Sequence, residues 1–176
     1  AQPLPEAQRR IIERNVAVFA LLNPAEQQKL IAAARIIAAE RPFVACGGQP
    51  INDEVKLTIA AQASLLLLGE EGYYFDKVPS ILVYPMAYAR RHSLGSASPV
   101  DEDAGMLGES WQRGSIVLSW PAVLSGGRNA TDGQNLVLHE FAHHLDSLDG
   151  EMGGLPPLPT HEAETRWIDV FGREYD

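Results

Sequence analysis

Cysteine is almost missing from this chain. Cys46 is the only one in 176 residues, so no disulfide forms within the chain and zinc sites built on cysteine pairs are excluded. It is expected to pack as a small hydrophobe. Basic residues are scarce too. Fourteen Lys and Arg stand against 23 Asp and Glu, a net charge of −9. That is the wrong sign for a surface that holds phosphates, so no nucleic-acid partner is expected. Long apolar runs are lacking: the longest, from Leu57 to Leu68, is too short to cross a bilayer, and no membrane partner is expected. No secretory signal is visible, which makes a reduced, cytoplasmic setting the expectation. The rest of the composition, 45% hydrophobic and 21% charged, is that of a globular protein. The length suits a single domain over residues 1–176 with a core large enough to fold without staples.

Histidine is also rare, with five residues, yet two of them fall in the run Leu136-Val137-Leu138-His139-Glu140-Phe141-Ala142-His143-His144-Leu145-Asp146. The pattern is H-E-x-x-H. Its chance occurrence in a chain of this composition is about one in a hundred. On a helix His139 and His143 share a face one turn apart, so both imidazoles can serve one ion. Glu140 lies about 100° round the helix and suits a water beside that ion rather than the ion itself. Neutral imidazoles suit Zn²⁺, which acidifies water, and a neighbouring carboxylate takes the proton. The expected assignments are therefore His139 and His143 as ligands of one Zn²⁺ and Glu140 as general base. The competing reading is an ordinary buried helix with incidental histidines.

The flanks fit a helix. Leu138, Phe141, Ala142, Leu145 and Leu148 give an apolar stripe, and Gly150 is placed to stop it. Thr131 and Gln134 have the spacing of a capping box, which predicts a start near Asp132. Upstream, Pro5 to Leu22 reads as a first helix with Ile11, Ile12, Val16, Phe19 and Ala20 on one face. Asn23-Pro24 starts a second, which Arg41-Pro42 ends. Phe43 to Cys46 reads as a short strand before a Gly47-Gly48 turn. Asn52 or Asp53 caps a third, central helix running to about Leu68. Ser80 to Tyr84 is a buried strand. Met86 to Asp103 reads as a long loop. Its Arg90-Arg91-His92 and Asp101-Glu102-Asp103 runs are candidates for a carboxylate and a cation, with a solvated loop the preferred reading. Ser110 to Trp120 predicts a hairpin about Gln112-Arg113-Gly114, with Ser115 to Trp120 as an edge strand for an extended peptide. Gly126 to Asp132 reads as a polar loop, and a last helix begins near Thr160.

A catalytic zinc site expects a third protein ligand. No histidine follows at the metzincin spacing. A glutamate on a later helix is the alternative, and spacing favours Glu164 over Glu162, Glu151 and Glu174. Asp146, three residues after His143, either orients that imidazole or bonds to nearby backbone. His144 and His161 are expected to stay away from the ion.

Three segments carry a family resemblance. They are Ile81-Leu82-Val83-Tyr84-Pro85, Gly108 to Trp120 (G-E-S-W-Q-R-G-S-I-V-L-S-W) and Asp132 to Asp146 (D-G-Q-N-L-V-L-H-E-F-A-H-H-L-D). The chain resembles the Mlc titration factor A family of zinc metallopeptidases, related to the catalytic domain of anthrax lethal factor. The resemblance implies an α+β zincin-like domain. Helices would pack on a small mixed sheet, with the H-E-x-x-H helix under the cleft. It implies peptide-bond hydrolysis of a peptide or protein substrate, aminopeptidase cleavage among its forms, with His139 and His143 on zinc and Glu140 as base. It places the third ligand on a helix after the one bearing Glu162 and Glu164. On that basis the chain is expected to be truncated before that ligand. The family also implies a rival role, sequestering a transcriptional repressor of the Mlc type.

Overall fold

The structure, a computed structural model, describes residues 5–69, 72–85, 114–149 and 160–175. The chain divides into two compact units, Ala1–Glu140 and Phe141–Asp176.

The first unit is built on a run of apolar and alanine-rich segments. Helix α1 spans Glu6–Asn15, α2 Pro24–Glu40, α3 Asp53–Ser64 and α4 Trp120–Arg128, and a fifth, α5, begins at Leu136. Three strands, β1 (Phe43–Ala45), β2 (Ile81–Tyr84) and β3 (Ile116–Ser119), form a sheet in the order β1-β2-β3. Both pairings are parallel, with Phe43 opposite Ile81 and Ile81 opposite Ile116. The α+β class is as expected, but among the described residues the sheet is parallel rather than mixed. A parallel pair needs a long crossover, and α3 supplies one between β1 and β2. Strand β2, at the centre, is buried at all four residues, as its unbroken I-L-V-Y run requires in a sheet covered on both faces.

Helix α3 is the centre of the unit. Every residue from Leu57 to Ser64 is buried, and Ala60, Ala61 and Ala63 let α1, α2 and α4 approach closely. Ile12, Leu30, Ile37, Ile59, Ile81 and Leu118 are fully enclosed. Each such side chain contributes roughly 1.5–3 kcal/mol relative to exposure.

Local signals set most of the boundaries. Asn23 Oδ1 accepts the N–H groups of Ala25 and Glu26 at 2.9 and 3.0 Å, and Glu26 Oε2 accepts the Asn23 N–H at 2.9 Å, a closed capping box at the start of α2. Asn52 Oδ1 caps α3 through Val55 N–H at 3.0 Å. Gly47 and Gly48 turn the chain with φ of 54° and 78°, a region glycine enters freely.

Two expectations are corrected. The first helix stops at Asn15 instead of continuing to Leu22. Val16 is extended (φ −129°, ψ 86°) and a 3₁₀ turn covers Ala17–Leu21. The break buries the Asn15 side chain among polar partners and still brings Val16 and Phe19 into the core. The region read as a polar loop from Gly126 begins instead as the last turn of α4, which starts with Pro121 in its first turn. Gln112 and Arg113 of the hairpin turn, the Met86 to Asp103 loop with its two charged runs, and Gly150 lie outside the described residues.

In the second unit α5 runs on to Asp146, followed by a 3₁₀ turn at Ser147–Asp149. Helix α6 spans His161–Tyr175, close to its expected start, with Thr160 Oγ1 accepting from Ala163 N–H at 3.2 Å. No helix among the described residues is long and apolar enough to cross a membrane.

Candidate metal centre

The segment Leu136–Asp146 is one uninterrupted helix, α5, so His139 and His143 are separated by one turn of regular backbone. Both are exposed. Glu140 is half-buried, while Val137 and Phe141 on the other side are enclosed. Of the apolar stripe Phe141 is buried, Leu138, Leu145 and Leu148 are half-buried, and Ala142 is exposed. His144 is half-buried.

The start of α5 differs from the expected one. Thr131 and Gln134 do not form a capping box. The Thr131 N–H and hydroxyl donate to Asn129 Oδ1 at 3.0 and 2.9 Å, and Gln134 N–H donates to Asp132 Oδ1 at 2.9 Å. Between them Gly133 takes a φ of 68°, off the helical path. The cap is Asn135. Its Oδ1 accepts Leu138 N–H at 2.9 Å and its carbonyl accepts His139 N–H at 3.0 Å.

Asn135 is itself held. Its Nδ2 donates to Gln62 Oε1 at 2.9 Å and to the Gly126 carbonyl at 3.3 Å. Gln62, fully buried on α3, donates through Nε2 to the Val123 carbonyl at 3.1 Å and the Thr58 carbonyl at 3.3 Å. One turn away Asn15 donates to Thr58 Oγ1 and Glu54 Oε1, both at 3.0 Å, and its Oδ1 accepts two bonds from Arg128 at 3.1 and 2.8 Å. The bond from Asn15 holds the Glu54 carboxyl below its ordinary range against an opposing effect of burial, and Arg14 and Arg128 reinforce it. Buried amides without partners are costly, and this network leaves none of these side chains unmatched. Sequence reasoning missed Gln62 and Asn135. The only local signal was an Asn three residues before an apolar helical position.

No group of three or more His, Cys, Asp or Glu side chains placed to hold a metal ion occurs among the described residues. Glu164, on α6, lies beside its own helix neighbour, with Oε2 3.1 Å from His161 Nδ1. A groove of about 530 Å³ on α6 is lined by Glu162, Thr165, Arg166, Asp169, Val170 and Arg173, none of them a candidate ligand histidine. Asp146 Oδ1 is buried and has no hydrogen-bond partner among the described residues.

Over residues 1–176 the chain matches the model of a family described as glucose-regulated metallo-peptidase M90. The chain belongs to that family. This M90 chain is 36% identical over 177 residues to a Synechocystis protein named Uncharacterized protein slr2042, covering 99% of this chain and 64% of the relative. It is 28% identical over 160 residues to Mlc titration factor A of Yersinia pestis and, equally, of Yersinia pseudotuberculosis, covering 85% of this chain and 56% of each relative. The resemblance read from residues 132–146 and the two segments before them is thus borne out. The M90 chain spans less than two thirds of the length of these curated relatives.

The family name implies a metal. Two exposed imidazoles at i and i+4 fit the donor chemistry of zinc, and would be two of the three protein ligands that a catalytic site uses.

Proposed function

We propose that this M90 chain carries the ligand helix of a zinc-dependent peptidase, in a single zincin-like domain with a cleft above α5. The observation that supports it most is the pair of exposed histidines one turn apart on a continuous helix with Glu140 between them. His139 and His143 would hold the ion. A bound Zn²⁺ supplies Lewis-acid polarisation of a carbonyl and lowers the pKa of water. Glu140 takes the proton from the attacking water and passes it to the leaving amine, which departs neutral. Its half-buried position limits competing solvent while leaving the carboxylate reachable. The third ligand is a glutamate, either Glu164 or one carried by a longer chain.

The test is Glu140→Gln assayed for metal content and peptide hydrolysis. The variant is expected to keep zinc and lose hydrolysis. Undiminished hydrolysis would remove Glu140 as base.

A second reading has its own support, the name Mlc titration factor A borne by the Yersinia relatives. In that reading the chain acts by binding a transcriptional repressor of the Mlc type, and the metal is structural. The coordination count separates the two: a zinc-loaded crystal with four protein ligands supports binding, and one with an open position supports hydrolysis.

A further inference from the structure

We infer that Gln62 is the positioning residue for the histidine helix. The inference rests on the reading that α5 carries a metal. A chain of hydrogen bonds runs from the core of the first unit through this side chain to the backbone of the first candidate ligand. Gln62 is fully buried on the central helix α3. Its Nε2 is committed to the carbonyls of Thr58 and Val123, which fixes the amide's orientation and turns Oε1 toward Asn135. Asn135 then caps Leu138 with its side chain and accepts from the backbone N–H of His139 with its carbonyl. The register of α5 is thereby set from α3 and α4 at two points, Gln62 Oε1 and the Gly126 carbonyl, and passed on by the cap.

Packing closes the arrangement. A Cβ on Gly126 would sit 2.8 Å from the Gln134 carbonyl and 2.9 Å from Asn135 Cα. One on Gly127 would collide with the Asn15 carbonyl and with Gln62 Nε2. Gly126 lets α4 press directly on the segment that launches α5, and Gly127 lets it close on Asn15 and Gln62. A helix held this way does not slide or rotate about its axis without breaking a buried amide pair. Imidazole placement is what such rigidity serves, because metal affinity depends on ligand orientation within a few tenths of an ångström.

The experiment uses the 176-residue chain and Co²⁺, whose visible absorption reports ligand geometry. Gln62→Met fills the same space without the amide. Asn135→Ser keeps a good helix cap but is too short to reach Gln62. Each is expected to weaken Co²⁺ binding about tenfold and to alter the absorption bands, and the double variant is expected to lose no more than either alone. Asn23→Ala, which removes a cap on α2 far from the link, serves as the control for lost stability and should leave the spectrum unchanged. If Gln62→Met does not fold, Asn135→Ser decides alone. Folded variants that bind Co²⁺ with the affinity and spectrum of the parent chain overturn the positioning role and leave the metal site standing. A parent chain that shows no saturable Co²⁺ spectrum overturns both.

Discussion

Asn15 donates to Glu54 Oε1 at 3.0 Å while Arg128 grips the other end of the same amide, so a residue at the end of α1 joins a carboxylate on α3 to a guanidinium on α4. The Glu54 carboxyl is held below its ordinary range chiefly by that bond. A lowered folded-state pKa means that the contribution to stability is complete above the ordinary glutamate range and is lost as pH falls through the lowered value. The parent chain should therefore exceed Glu54→Gln in melting temperature at neutral pH, with the gap closing on acidification. Thermal melts of both proteins from pH 7 down to pH 3 measure it. A gap that stays constant removes Glu54 as the titrating group.

Gly127→Ala should destabilise the fold by about 1–3 kcal/mol, because the new methyl meets the Asn15 carbonyl and the Gln62 amide, both enclosed. Gly48→Ala is the instructive comparison. There the space is open, and the cost, roughly 1–2 kcal/mol, comes only from a φ of 78°. Urea unfolding of both variants gives the two numbers. Gly127→Ala is further expected to disturb the start of α5, and Gly48→Ala is not.

Asn23→Ala opens the capping box of α2 and should cost about 1 kcal/mol. In a chain of this size that is a fall of about 2–4 °C in Tm. Calorimetry checks it, and an unchanged Tm would mean that water replaces the cap without loss.

Glu140→Gln is expected to lower peptide hydrolysis by about 10²–10⁴-fold while zinc content stays at the parent level. His139→Ala and His143→Ala should lose zinc together with hydrolysis. Metal analysis after dialysis, run beside a peptide assay, distinguishes the two patterns.

Much of the fold was legible because its signals are local. Asn23-Pro24 with Glu26 marks a helix start within four residues, and the I-L-V-Y run of β2 announces a strand buried on both faces. The histidine pair was legible for the same reason, since its spacing is a property of one helix. What escaped depends on partners far along the chain. Gly126-Gly127 reads as a loop until the Gln62 and Asn15 groups that exclude a side chain there are known. Thr131 and Gln134 have the spacing of a cap, but Asn135 takes the role because Gln62, on another helix, holds it in place. Asn15 ends α1 for a similar reason, its amide being claimed by α3 and α4.

The three parallel strands carry a consequence for how the protein is made. Phe43 waits for Ile81, and Ile81 for Ile116, so neither pairing can close through a tight turn. Loops that long lose entropy before any ladder bond forms, which puts the sheet late in folding and the α2–α3 pair early. On a ribosome the first two strands emerge with an open edge and stay so until residue 119 clears the exit tunnel. During that interval the nascent chain is most exposed to pairing with its neighbours, and it is then that a holding chaperone is of most use.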